Sequence, residues 1–251
     1  MKESRTVGVV VDAHCHLELF DNPDAIVSES KKNGVAAIIT SGWSIKSNAI
    51  ASGLTRIDDV FATIGIGPEE TLHSQELMDS LEGMAKANRK IVGIGEIGLD
   101  TKAVDKISIE DQVRLFSAQL DIAQRLSIPA VIHSRGMFGE CLKTLEEKGI
   151  EKAMFHFFGG SEDDAKMAEK HGYLISIPPL DSGRLRRVIK AVDAESLVAE
   201  TDAPLVGRVP ADASRVIEKV SELKGKSFDE IGLRMMQTIK DYFGIIISEG
   251  P

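Results

Sequence analysis

Cysteine is scarce: the chain of 251 residues holds two, Cys15 and Cys141. One follows a histidine on a strand-like apolar run and the other lies in a helix-like stretch. No disulfide framework is expected, in keeping with a reducing cytosol. Positive charge is in deficit as well. Lys and Arg number 30 against 39 Asp and Glu, for a net charge of −9 and a pI near 5.3. That balance excludes a global basic surface for nucleic acid; such a substrate would have to be held by a local basic patch or by metal. The opening MKESRTVGVVVD carries an apolar run too short, and too close to charge, for a signal peptide or membrane span. A cytoplasmic protein with no membrane association is expected. Aromatic residues are few (5%), yet a 43% hydrophobic composition is ample for a large core. At this length an α/β barrel is commonly one unit, so residues 1–251 are expected to form a single domain.

What is present is an alternation. Short apolar runs (VGVVVDAH, GVAAIITSG, VFATIGIG, KIVGIGEIG, IPAVIHS, KAMFHFF, GYLISIP and SLVAETD) are separated by helix-length amphipathic stretches such as NPDAIVSESKKNG, IEDQVRLFSAQLDIAQRLS, MFGECLKTLEEKG, SEDDAKMAEKHG and SGRLRRVIKAVD. Several helices close on a glycine, at Gly34, Gly149 and Gly172, where a C-terminal cap calls for one. Near-continuous apolar strands alternating with helices mean a parallel sheet covered by helices. Eight such units spell a (β/α)8 TIM barrel, with an open doubly wound sheet as the rival. The tail from Asp212 to Phe243 reads as two more helices, one closing the barrel and one extra.

Metal-competent side chains gather at the C-terminal ends of these runs. His14 and His16 end the first, Glu96 the fourth, His133 the fifth, His156 the sixth and Asp202 the eighth. A strand sends alternate side chains to one side, so His14 and His16 point the same way, with Asp12 beneath them. Of six histidines in the chain, the remaining two, His73 and His171, lie in polar, helix-like surroundings. Each ligand alone has an ordinary reading: a core histidine bonded to backbone, an acid closing a loop, or Asp202 capping a turn before Pro204. Independent structural causes would not collect them all at one barrel rim, where chemistry is done in this fold. Four imidazoles and two carboxylates suit zinc, iron or manganese and suffice for two ions, with one carboxylate able to bridge. GIGEIG, residues 93–98, matches a dinucleotide fingerprint, but no helix opens after it to face a pyrophosphate.

The order of these pieces resembles the TatD-type metal-dependent hydrolases and deoxyribonucleases of the amidohydrolase superfamily. The segments DAHCHLE, GEIGLD, IPAVIHSR, FHFFGGS and AETDAP are similar to that family's successive strand-end motifs. The resemblance implies a barrel holding two divalent metals, such as zinc, manganese or magnesium. It pairs His14 with His16 and His133 with His156, makes Glu96 the bridge, and places Asp202 in the first site beside the nucleophilic water. Three departures stand out. The family commonly has Gly-X-His-Pro-His after the third strand, where this chain reads GIGPEE, with Gly67 and Glu69 in the histidine positions. An Arg-Asn-Glu-Pro loop beyond the last strand is replaced by TDAPLVGRVPADAS. Phe157 stands where cysteine is frequent, a change read as packing.

The leading functional expectation is metal-assisted hydrolysis of a phosphodiester at a nucleic-acid end, with Asp202 orienting water and accepting its proton. Arg135 is the best-placed cation for phosphate because a guanidinium bonds two oxygens at once. Lys102 and Arg208 are weaker candidates in rim loops, and GRLRRVIK reads as the solvated face of a helix. The alternatives are hydrolysis of a small amide, ester or lactone, and a non-catalytic metal-binding scaffold.

Overall fold

The computed structural model describes residues 9–70 and 74–248. The charged opening of the chain and His73 lie outside the described residues. The strands are β1 (Val10–Cys15), β2 (Val35–Ser41), β3 (Val60–Ile64), β4 (Ile91–Asp100), β5 (Ala130–Arg135), β6 (Ala153–Phe155), β7 (Leu174–Ile177) and β8 (Leu197–Ala199). Each apolar run singled out in the sequence coincides with one of them, although β1, β4 and β5 extend one or two residues past the run. Helices follow in turn: α1 (Pro23–Lys32), α2 (Ile45–Leu54), α3 (Gln75–Ala87), α4 (Ile109–Leu126), α5 (Phe138–Glu147), α6 (Glu162–Lys170), α7 (Gly183–Ala191), α8 (Ala213–Lys224) and α9 (Phe228–Phe243).

The strands pair in parallel and in sequence order from β1 to β8. A doubly wound sheet reverses its strand order at a switch point; this one does not. The two ends of the sheet meet through a polar seam. The backbone N–H groups of Thr201 and Asp202 donate to His14 O at 3.3 and 2.9 Å, and His16 N donates to Ala203 O at 2.7 Å. Asp12 completes the seam, accepting from Thr201 N at 2.9 Å and from the Thr201 hydroxyl. A nearly closed (β/α)8 barrel results, and α9 is the extra helix expected from the tail.

Local chemistry explains most element ends. Ser44, Ser74, Ser108, Ser161, Ser182 and Ser227 cap α2, α3, α4, α6, α7 and α9 by accepting from the third N–H of the helix, which satisfies a donor that has no partner within the helix. Gly34, Gly149 and Gly172 follow α1, α5 and α6 with φ of 89°, 62° and 74°, as the sequence pattern suggested. The barrel interior is packed by Val11, Phe61, Val92, Val131, Met154 and Val198. Ile239 and Phe243 of α9 join that cluster, so the extra helix plugs the barrel.

The glycines of GIGEIG have a different use from phosphate binding. A Cβ on Gly95 would meet Val131 Cβ at 2.5 Å, and one on Gly98 (φ 141°) would meet His133 O at 2.0 Å. They let β4 lie against β5 closely enough to bring Glu96 and His133 together. The next long helix, α4, starts only at Ile109.

Candidate metal centre

Six side chains from distant parts of the chain converge at the C-terminal mouth of the barrel. Glu96 stands between two histidine pairs. Its Oε2 lies 3.7 Å from His14 Nε2 and 3.8 Å from His16 Nε2. Its Oε1 lies 2.7 Å from His133 Nδ1 and 3.0 Å from His156 Nε2. Asp202 closes the His14/His16 side, with Oδ1 3.1 Å from His16 Nε2 and 3.9 Å from His14 Nε2. The rings of His14 and His16 meet edge to face at 5.0 Å, while His14 stacks on His156 at 4.1 Å. Asp12 does not join them, because its carboxylate turns to Thr201.

Several polar atoms of this cluster lack the partners a closed core supplies. His14 is 1% exposed, yet neither of its ring nitrogens has a hydrogen-bond partner. Asp202 Oδ1 is buried and makes no regular hydrogen bond, its near approach being the 3.1 Å ion-pair distance to His16 Nε2. Leaving one such buried group unpaired costs about 1–3 kcal/mol. Lone pairs converging within 4.8 Å, in the sets His14/His16/Glu96 and Glu96/His133/His156, fit divalent ions, which imidazole and carboxylate bind well. Asp202 has φ 50°, a left-handed backbone that Asp tolerates better than most residues. Its N–H bond to His14 O holds it there.

Electrostatics keep His14 and Glu96 in ligating form, whereas neighbouring carboxylates favour the imidazolium at His133 and His16, so ion binding there would release protons. Burial, reinforced by the charges of His156 and His16, pushes the His14 pKa well below the ordinary imidazole value, leaving a neutral ring. Burial alone would raise Glu96, but His156 and His133 outweigh it and hold the carboxyl well below its usual range. For His133, burial opposes the imidazolium, yet Asp100 and Glu96 overcome that and push it up to about 9. Burial and the neighbouring Asp202 push Glu200 well above the normal carboxylate value. A third set of close donors, His14, His156 and Glu200, includes this acid, whose charged form burial disfavours.

Three functional neighbours escaped the sequence reading. Asp100 Oδ2 accepts from His133 Nε2 at 2.9 Å, orienting the ring so that Nδ1 faces Glu96. The signal was available, because Glu96, Gly98 and Asp100 share strand parity within GEIGLD. Glu200, two residues before Asp202, accepts from Phe157 N at 2.7 Å beneath His156. Trp43 follows β2 and places its ring edge-on to His16 at 4.7 Å; no short motif marks it.

A cavity of about 1060 Å³ opens from the cluster. Arg135 lines it, with Nη1 3.5 Å from Asp100 Oδ2. Lys102 and Arg208 are exposed and do not form its wall. Two arginines of GRLRRVIK, Arg184 and Arg187, do line it, so this run is more than a solvated helix face. Phe157, expected to act in packing, lies on the cavity wall with φ 45°. Gly67 N donates to Trp43 O at 2.8 Å, and Glu69 is exposed. His171 caps α6 and pairs with Glu146 at 3.0 Å, outside the centre.

Comparison with known proteins agrees with this geometry. The sequence profile of the TatD related DNase family matches residues 11–244. An uncharacterized metal-dependent hydrolase of Methanocaldococcus jannaschii is 30% identical over 233 residues, covering 88% of this chain and 91% of the relative. Human deoxyribonuclease TATDN3 is 29% identical over 254 residues, covering 90% of this chain and 92% of the relative. The crystal structure of YjjV, a TatD homologue from Escherichia coli, superposes with a TM-score of 0.87 at 25% identity, covering 96% of this chain and all of that one. With a family match running from the first strand to the end of the plugging helix, and a barrel whose mouth gathers histidines and acids from five segments, the chain belongs to the TatD-related DNase family.

Proposed function

We propose that this protein is a divalent-metal-dependent phosphodiesterase acting on DNA or another nucleic acid, at a strand end. The single observation that carries the reading is the divided carboxylate of Glu96, one oxygen toward His14 and His16 and the other toward His133 and His156. His14, His16, Glu96 and Asp202 would hold one ion and Glu96, His133 and His156 a second. The donor set favours zinc or manganese over magnesium as resident ion. Such ions, when bound, polarise a phosphoryl oxygen and ease the deprotonation of water. Asp202 Oδ1, buried and without a regular hydrogen bond, orients the attacking water and takes its proton. Arg135 neutralises the phosphate from the cavity side. The name of the human relative supports nucleic acid as the substrate class, and the two free buried thiols support a cytoplasmic setting.

Metal analysis and a cleavage assay test this together. Wild-type protein is expected to hold two divalent ions and to cleave oligonucleotides in a chelator-sensitive way. Glu96→Ala should lose bound ion and activity together. Asp202→Asn should lower kcat by about a hundredfold or more, the size of a general-base contribution. Full activity in both variants would reject the site. A second reading, hydrolysis of a small ester, amide or lactone, is favoured by Gly67 and Glu69 in place of histidines and by Glu140, Glu162 and Asp164 on the cavity wall. A panel of small esters beside the oligonucleotides separates the two. Metal bound with turnover of neither would point to a scaffold.

A further inference from the structure

The cavity is lopsided. Among the described residues none from the β2 or β3 end lines it; there Gly67 offers no side chain and packs against Trp43. On the opposite side the wall runs from Arg135 past Phe157 to the first turns of α7. The arginines of that helix divide by direction. Arg186 turns away and is neutralised by Asp181 at 2.8 and 2.9 Å and by Glu222 at 3.4 Å. Arg184 and Arg187 face the cavity.

Arg184 donates to the carbonyl of Gly159 at 3.2 Å, in the loop just after His156. It makes no ion pair among the described residues, so its charge is available to a ligand. Arg187 meets Glu162 through Nε at 2.8 Å, which leaves its terminal nitrogens for a second acceptor. The acids on the same wall are mostly committed. Glu162 is paired with Arg187, and Asp164 accepts from the N–H and hydroxyl of Ser161. Glu140 alone keeps an unpaired carboxylate. Phe157 and Leu205, the latter 62% exposed, add apolar surface. Guanidinium groups beside apolar side chains suit a ligand that alternates phosphates with bases.

We propose that Arg184, with Arg187 beside it, forms a phosphate-binding subsite for the linkage next to the scissile one. A strand would then run from the metal centre along the β5–α7 wall. This rests on the phosphodiesterase reading above. The test compares kcat/KM for a short oligothymidylate with kcat/KM for bis(4-nitrophenyl) phosphate, which has one diester and no neighbouring phosphate. Arg184→Ala is expected to lower the oligonucleotide-to-small-diester ratio by about tenfold, the size of a lost charge-assisted hydrogen bond. Arg184→Lys should recover part of it, since charge remains but the fork is gone. The slope of log kcat/KM against log salt should fall by about 0.7 for each phosphate contact removed from a single strand. Arg186→Ala should keep the wild-type ratio. A wild-type ratio and salt slope in the double variant Arg184→Ala/Arg187→Ala would overturn the proposal, as would an equal loss in Arg186→Ala. If the wild-type protein cleaved neither diester, the phosphodiesterase reading would fall and take this subsite with it.

Discussion

At His14 a bound ion would supply the partner that the protein itself does not. The His14 ring is buried between His156 and His16 with no protein partner for either nitrogen. His133 is the contrasting case, held from behind by Asp100. Such carboxylate–histidine contacts set ring orientation and ligand basicity. Asp100→Asn is expected to weaken divalent-ion affinity by about 10–100-fold while the fold persists, because Asn retains the oxygen that accepts from Lys102 N. Isothermal titration with zinc or manganese reads this directly; unchanged affinity would remove Asp100 from the site. Trp43, the one tryptophan of the chain, reports on His16 at 4.7 Å. Its fluorescence should be quenched by cobalt or copper in step with ion uptake. An unchanged signal at full ion loading would contradict the placement of an ion beside His16.

The elements show where a one-dimensional pattern carries information and where it stops. Strand positions were legible because parallel barrel strands are buried on both faces and so read as continuous apolar runs. Helix α2 was not singled out, for a physical reason: Ile45 and Ile50 are exposed whereas Asn48 is buried, bonded to both backbone groups of Gly65. Its apolar periodicity is therefore broken. The β1–β8 seam was likewise invisible, since it rests on Asp12 meeting Thr201 across most of the chain. Thr201→Val keeps the side-chain shape and removes one of the bonds to that buried carboxylate. A loss of about 1–3 kcal/mol is expected, measurable by urea denaturation. At β4, Gly98→Ala places a methyl group 2.0 Å from His133 O. It should destabilise the fold and also displace Glu96 from His133, lowering ion affinity alongside stability.

At the scale of the whole molecule, two features bracket the barrel: the α9 plug at one end and the histidine–carboxylate cluster at the other. Phe243 is 5% exposed and packs into the barrel interior. Phe243→Ala should cost about 3–5 kcal/mol, seen as a lower thermal midpoint, with ion stoichiometry unchanged in the folded fraction. At the mouth, an ion that binds the folded state alone stabilises it by about 2.7 kcal/mol at a hundredfold excess over Kd. A chelator should therefore lower the melting temperature, and added zinc or manganese should restore it. A melting temperature indifferent to both would argue against tight ion binding. The net charge of −9 opposes polyanion binding at long range, yet local fields decide contacts within a cleft once salt screens the rest.

Strand and helix succession, and the histidines and acids at strand ends, belonged to the sequence by itself, because burial imposes a periodicity and divalent ions would accept few other donor chemistries. Only the tertiary structure decided which atoms face one another. It turned Glu96 to present one oxygen to each histidine pair and set Asp100 behind His133. It also took Asp12 out of the centre and divided the arginines of one helix between solvent and cavity. These outcomes depend on barrel closure and on the close approach of β4 to β5, and both arise from contacts between residues far apart along the chain.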